Sequence, residues 1–169
     1  MQNLNDYNNN NYNPGNWFQI YPWYIISIFF FENRIPWPYF IKVWILKIFG
    51  AKIGSGVVIK PNVKIKYPWK LLCGDHVWIG EKSWIDNLAY VKIKSNVCIS
   101  QGVYIFCGNH NYKNTSFDLI VEEVLINEGS WLCAKSIVGP GVICGYNSIL
   151  TVGSVAVSYT HLTLPTTPY

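Results

Sequence analysis

From Ile53 onward an aliphatic side chain returns at every sixth residue, a spacing that neither a helix nor a flat strand generates. The series runs Ile53, Ile59, Ile65; Cys73, Ile79, Ile85; Ile93, Ile99, Ile105; and, after an interruption, Ile126, Leu132, Val138, Cys144 and Leu150. A helix repeats about every 3.6 residues and a strand about every 2. A beat of six therefore requires a short strand and a tight turn, repeated together. Four residues after each aliphatic position comes a second side chain, usually small or β-branched, as at Val57, Val77, Ser83, Val97, Ser130 and Ser148; Trp69 is the large exception. Glycine and asparagine between them supply residues that tolerate positive φ at turns.

The interruptions fix how many strands close one coil. The beat slips by two residues between Ile65 and Cys73 and again between Ile85 and Ile93, each time after three hexapeptides, and a long insertion follows Ile105. Three sides per coil make a triangular prism, an all-β solenoid of parallel rungs stacked about 4.8 Å apart. About five coils are expected, beginning near Ile53, Cys73, Ile93, Ile126 and Cys144. Each coil buries its interior only against its neighbours. The solenoid is read over residues 51–157, with a loop insertion at 110–125. Long loops without their own structure are often functional.

The N-terminal third has a different character. Residues 1–16 are asparagine-rich, lack an apolar face and are expected to be a disordered arm. Residues 17–50 form an apolar helical segment. The run WFQIYPWYIISIFFF, residues 17–31, is closed by Glu32, Asn33 and Arg34 and is shorter than the roughly 20 residues that span a bilayer. Pro22 suits the first turn of one helix. A second is predicted from Pro38 to Phe49 with Gly50 as its stop. These helices need cover, from the rest of the chain, a neighbouring subunit or a membrane interface.

Charge and cysteine content narrow the chemistry. Half the residues are hydrophobic and 13% are charged, which points to burial in an oligomer or against a membrane. Arg34, Lys42, Lys47, Lys52, Lys60, Lys64, Lys66 and Lys70 follow one another with no acidic residue until Asp75, a segment suited to anionic lipid or an anionic substrate, or simply solvated. No recognition motif accompanies the charge, so nucleic acid is not expected as a partner. Five cysteines without a CxxC pair read as reduced thiols of a cytoplasmic protein. Cys73 and Cys144 fall at inward positions, where cysteine acts as a small hydrophobe.

IGSGVV, CGDHVWIGEKSW and VGPGVICGYNSILTVGSVA resemble the repeats of the hexapeptide-repeat acyltransferases. FGAKIGSGV, YPWKLLCGDHVWIG, WIDNLAYVKIKSNVCISQGVYIFCGNHNY and FDLI narrow the resemblance to the colanic-acid-type sugar O-acetyltransferases, over roughly residues 35–157. The resemblance implies a left-handed parallel β-helix, acetyl-CoA as co-substrate, a sugar or glycan intermediate as acceptor, and a homotrimer with active sites between adjacent subunits. It makes His110, in Gly108-Asn109-His110 at the insertion, the catalytic base. An imidazole there could take the proton of a sugar hydroxyl as oxygen attacks the thioester. On its own, a histidine in a polar loop is as readily a solvated residue, and Cys107, three residues earlier, shows no sign of a nucleophile. His76 reads as surface. No metal is expected, since a zinc site on such a fold needs three convergent histidines and only His76 and His110 lie in the repeats.

By the same resemblance Asn87, with Asp86 beside it, contacts the acceptor, although both could equally be turn corners. Trp131, Ala134, Val152 and Gly153 line the coenzyme A arm, Trp131 being otherwise a subunit-packing aromatic. The family usually continues past GSVV with a Thr-Lys pair, where this chain has Val157 and Ser158; residues 158–169 read as an aberrant tail. The expected protein is thus a sugar O-acetyltransferase of exopolysaccharide or capsule assembly. It would be cytoplasmic, with peripheral contact at the inner membrane face through residues 17–49. The alternative is a catalytically impaired binding or scaffolding solenoid at the membrane surface.

Overall fold

The computed structural model describes residues 3–158 of the 169. Fifteen short strands wind into a parallel β-helix of five triangular coils. The first face stacks Lys52–Ile53, Leu71–Cys73, Val91–Ile93, Val124–Ile126 and Ile143–Cys144. The second stacks Val58–Ile59, Trp78–Ile79, Cys98–Ile99, Trp131–Leu132 and Ile149–Leu150. The third stacks Lys64–Ile65, Trp84–Asp86, Tyr104–Phe106, Ile137–Val138 and Val155–Ala156. Register aligns Ile53, Cys73, Ile93, Ile126 and Cys144 in one column, the residues at which the hexapeptide beat starts each coil. All five are buried, as are the columns through Ile79, Ile99 and Leu132 and through Ile85, Ile105 and Val138.

The edges explain the beat. At the first–second edge the left-handed position is held in turn by Gly56, His76, Asn96, Gly129 and Asn147; at the second–third edge it is held by Asn62, Lys82, Gly102, Lys135 and Gly153. A residue at positive φ turns the chain from one face to the next within four residues, which keeps these two edges uniform. The third–first edge keeps that rule only in its last connection, 139–142, where Gly141 takes φ +72°; its other connections run over 66–70, 87–90 and 107–123, and there the sequence slips.

Helices α1 (Trp17–Phe30) and α2 (Tyr39–Ile48) close the N-terminal end of the prism. The Asn16 side chain accepts from Phe18 N and starts α1 there. Pro22 consequently lies inside α1, not in its first turn; it sits on the exposed side, where the carbonyl that loses its partner can turn to solvent. Trp23, Phe31, Ile45 and Leu46 bury against the first coil. The edge carbonyls of that coil are capped by side chains: Trp23 Nε1 donates to Ile65 O at 2.9 Å and Lys42 Nζ to Lys60 O at 3.0 Å. Lys42 is wholly buried, and burial lowers its pKa to about 8.

The asparagine-rich arm, read from composition as disordered, makes definite contacts over residues 3–16. Trp69 Nε1 donates to Pro14 O at 2.9 Å, Lys70 Nζ to Asn13 O at 3.0 Å, and Tyr12 Oη to Leu88 O at 3.0 Å. Residues 159–169, most of the segment read as an aberrant tail, lie outside the described residues.

Candidate active site

After Phe106 the chain leaves the third face and does not rejoin the prism until Val124. The departing segment is a hairpin. Gly108–His110 pairs antiparallel with Leu119–Val121, setting His110 opposite Leu119. The turn is held by Asn111 N donating to Asp118 O at 2.9 Å and by Asn114 Nδ2 donating to Asp118 Oδ2 at 3.0 Å. The hydrogen bonds from Asn114 and Ser116 hold the Asp118 carboxyl below its ordinary pKa.

The hairpin fixes His110 in two ways. Its ring stacks on Phe117, with centroids 4.3 Å apart and planes 4° from parallel. Its Nδ1 lies 2.9 Å from Phe117 O. A carbonyl oxygen only accepts, so in the neutral ring Nδ1 carries the hydrogen and Nε2 keeps the lone pair. Phe117 takes a left-handed φ of +51°, which turns its carbonyl back toward the ring. Tyr7 of the arm lies on another side, its ring centroid 5.7 Å from that of His110. Neither Phe117 nor Tyr7 was singled out in the sequence: a positive φ at phenylalanine leaves no sequence signal, and Tyr7 is far away along the chain.

The other candidates divide between two edges of the prism. Asp86 and Asn87 share the third–first edge with His110. Asp86 pairs with Lys66 at 2.9 Å. Asn87 is wholly buried, and its amide is engaged by the backbone of Tyr67 on the coil below, accepting from Tyr67 N at 2.9 Å and donating to Tyr67 O at 2.6 Å. That bracket replaces the strand pairing missing at this corner. Trp131, Ala134, Val152 and Gly153 lie instead along the second face and the second–third edge. Trp131 is half-exposed and its Nε1 donates to Ser100 Oγ at 2.8 Å. Gly153 N donates to Ala134 O at 3.0 Å. A Cβ at Gly153 would meet no atom within 4 Å, and Val152 is exposed, so this edge is open to a ligand lying along the backbone.

The cysteines are not poised for chemistry. Burial pushes the Cys107 thiol up to about 11, Cys73 to about 12 and Cys144 to about 11, which leaves each a neutral thiol. His76 is an exposed turn residue. Among the described residues, no three His, Cys, Asp or Glu side chains converge as a metal site would need.

A triangular parallel β-helix wound on a six-residue beat defines the hexapeptide-repeat class of proteins. The hexapeptide-repeat acetyltransferase of Vibrio cholerae complexed with acetyl coenzyme A shares the fold at a TM-score of 0.66 and 16% identity, over 73% of this chain and 69% of that one. A maltose O-acetyltransferase of Clostridium difficile superimposes at 0.67 with 18% identity, over 82% and 76% of the two chains. A galactoside acetyltransferase in complex with coenzyme A does so at 0.67 with 19% identity, over 76% and 66%. The helix is left-handed, as in that class. No family model matches the sequence. In sequence, the chain is 34% identical over 136 residues to the "Putative colanic acid biosynthesis acetyltransferase WcaF" of Escherichia coli K12, covering 80% of this chain and 75% of that protein, and equally to its Shigella flexneri counterpart. The chain belongs to the WcaF family of hexapeptide-repeat acetyltransferases.

Proposed function

We propose that the protein transfers an acetyl group from acetyl-CoA to a sugar hydroxyl during exopolysaccharide or capsule biosynthesis, with His110 as general base. The observation that carries this reading is the bond between His110 Nδ1 and Phe117 O, which leaves Nε2 free to take a proton. The acceptor hydroxyl gives its proton to Nε2 as its oxygen attacks the thioester carbonyl. The carbon–sulfur bond then breaks, and the departing thiolate recovers a proton from the imidazolium. No acyl-enzyme is needed, in keeping with the buried neutral thiol of Cys107.

Acetyl-CoA would lie along Trp131, Ala134, Val152 and Gly153, a stretch open enough to receive it. That stretch and His110 occupy different edges of one chain, with the third face between them. A complete site therefore needs the base of one chain beside the coenzyme edge of another, which favours a homotrimer closed about a three-fold axis between the prisms. Asp86 would face the acceptor at the His110 edge. Asn87 would serve it indirectly, by bracing the corner through Tyr67.

The test is acetyl transfer from acetyl-CoA to a panel of sugars by the native-length protein. Activity that His110→Ala lowers by about a hundredfold or more, an ordinary magnitude for a general base, supports the assignment. Retention of most of the rate by that variant refutes it.

One observation favours a second reading, a scaffold with weakened coenzyme binding: Val157 and Ser158 stand where the resemblance leads one to expect Thr-Lys. Intact oligomers with no measurable affinity for CoA would select that reading. In either case α1 and α2 leave Trp17, Phe18, Ile25, Phe29, Phe40 and Trp44 exposed, with Arg34 and Lys47 also exposed. Among the described residues no helix is long and apolar enough to cross a membrane. This surface suits peripheral contact with an anionic bilayer at the cytoplasmic face. Sedimentation with anionic vesicles, with and without residues 17–49, decides it.

A further inference from the structure

The asparagine-rich arm encloses space against the hairpin that carries His110. It is tied down at its C-terminal end by Trp69 and Lys70, and at its N-terminal end by Asn3 N donating to Thr115 O at 2.9 Å on the hairpin. Gly15 makes this course feasible: at φ +117°, a Cβ there would stand 2.8 Å from Trp69 Nε1. Between the anchors the arm crosses the hairpin and leaves a cavity of about 160 Å³, with Asn8, Asn9, Asn11 and Tyr12 on one wall and Asp118, Leu119 and Val121 on the other. Leu119 is the register partner of His110, so the cavity and the base share one pair of strands.

The lining selects a class of ligand. Each asparagine amide offers a donor and an acceptor in one plane, and Asp118 offers acceptors only. A carboxylate disfavours phosphate or another anion, while Tyr12, Leu119 and Val121 offer an apolar flank to the C–H face of a ring. Neighbouring hydroxyls on a ring, each able to donate and accept, match such a set. Asn8 Oδ1 is engaged by Asn10 N, but among the described residues no partner engages the side-chain amides of Asn9 and Asn11. The volume is below that of a whole drug-sized site, as fits the grip on one edge of a single sugar ring.

We infer that the N-terminal arm forms a saccharide-hydroxyl subsite, in which the amides of Asn9 and Asn11 and the carboxylate of Asp118 bind hydroxyls of the acceptor remote from its reacting oxygen. This rests on the acetyl-transfer reading above and assigns part of its acceptor specificity to residues outside the β-helix.

The experiment compares the wild type with the double variant Asn9→Ala/Asn11→Ala, using a panel of methyl pyranosides as acceptors. Asn10→Ala, on the same arm but outside the cavity lining, is the control. The double variant should raise the acceptor KM about tenfold, with kcat and the KM for acetyl-CoA within twofold of wild type and the control unchanged. An acceptor KM within twofold of wild type, or equal losses for both substrates, overturns the subsite. If the wild type acetylates no pyranoside, the activity reading fails on its own, and saturation-transfer NMR on the same pyranosides decides the subsite. Signals seen with wild type and lost in the double variant uphold it; no signal with wild type overturns it.

Discussion

Because a carbonyl can only accept, one 2.9 Å contact settles which nitrogen of His110 bears the hydrogen. Phe117 does two jobs at once: its carbonyl sets the tautomer and its ring sets the plane. Removing the ring should loosen the imidazole without touching either substrate. Phe117→Ala is expected to lower kcat roughly tenfold, as misplacement of a catalytic group does, with both KM values little changed; steady-state kinetics with both substrates varied checks this. Asn87 should behave differently. Its amide is wholly buried and committed to Tyr67, so Asn87→Ala should cost about 1–3 kcal/mol of stability through two lost hydrogen bonds. Denaturant unfolding measures that cost, and a shifted acceptor KM with unchanged stability would return Asn87 to direct contact with the sugar.

At the scale of the element, the column of Ile59, Ile79, Ile99, Leu132 and Leu150 is one continuous core, and a gap in it is felt by the coils on either side. Ile99→Ala should destabilise by about 2–5 kcal/mol, readable by the same unfolding measurement. Lys42 makes the helical cap pH-dependent. Its folded pKa of about 8 lies below the ordinary 10.5, so on raising the pH the folded state sheds this proton first. Between those values the unfolded state holds more protons at this lysine, so the contribution of Lys42 to stability rises with pH, against the falling contribution of the buried Cys73, Cys107 and Cys144 thiols, whose folded pKa is raised. The stability of the wild type relative to Lys42→Met should therefore increase from pH 7 to 10, as chemical denaturation of both proteins would show; a difference that stays constant over that range contradicts the assignment.

The same elements show what could be read in advance. The columns were legible because inward positions recur at a fixed spacing and seven of the ten turns at two edges use glycine or asparagine. The hairpin was legible only as an interruption, since a short antiparallel pair breaks the beat without imposing one of its own. The arm was opaque because its order comes from contacts distant in sequence: Tyr12 reaches Leu88 across 76 residues and Trp69 reaches Pro14 across 55. Composition alone reports none of these. For the site, the position of His110 at the third–first edge was readable, whereas the groups that orient it were not.

For the whole molecule, the decisive fact is the separation of His110 from Trp131, Ala134, Val152 and Gly153 on different edges of the prism. If the site is shared between chains, a chain lacking the base and a chain with a blocked coenzyme edge should complement each other. His110→Ala and Gly153→Trp, each inactive as a homo-oligomer, should regain about a quarter of wild-type acetyl transfer when co-assembled in equal amounts, because in a cyclic trimer roughly one interface in four joins two intact halves. Co-assembled oligomers of the correct size that stay inactive would contradict the account, as would a His110→Ala homo-oligomer that keeps the wild-type rate.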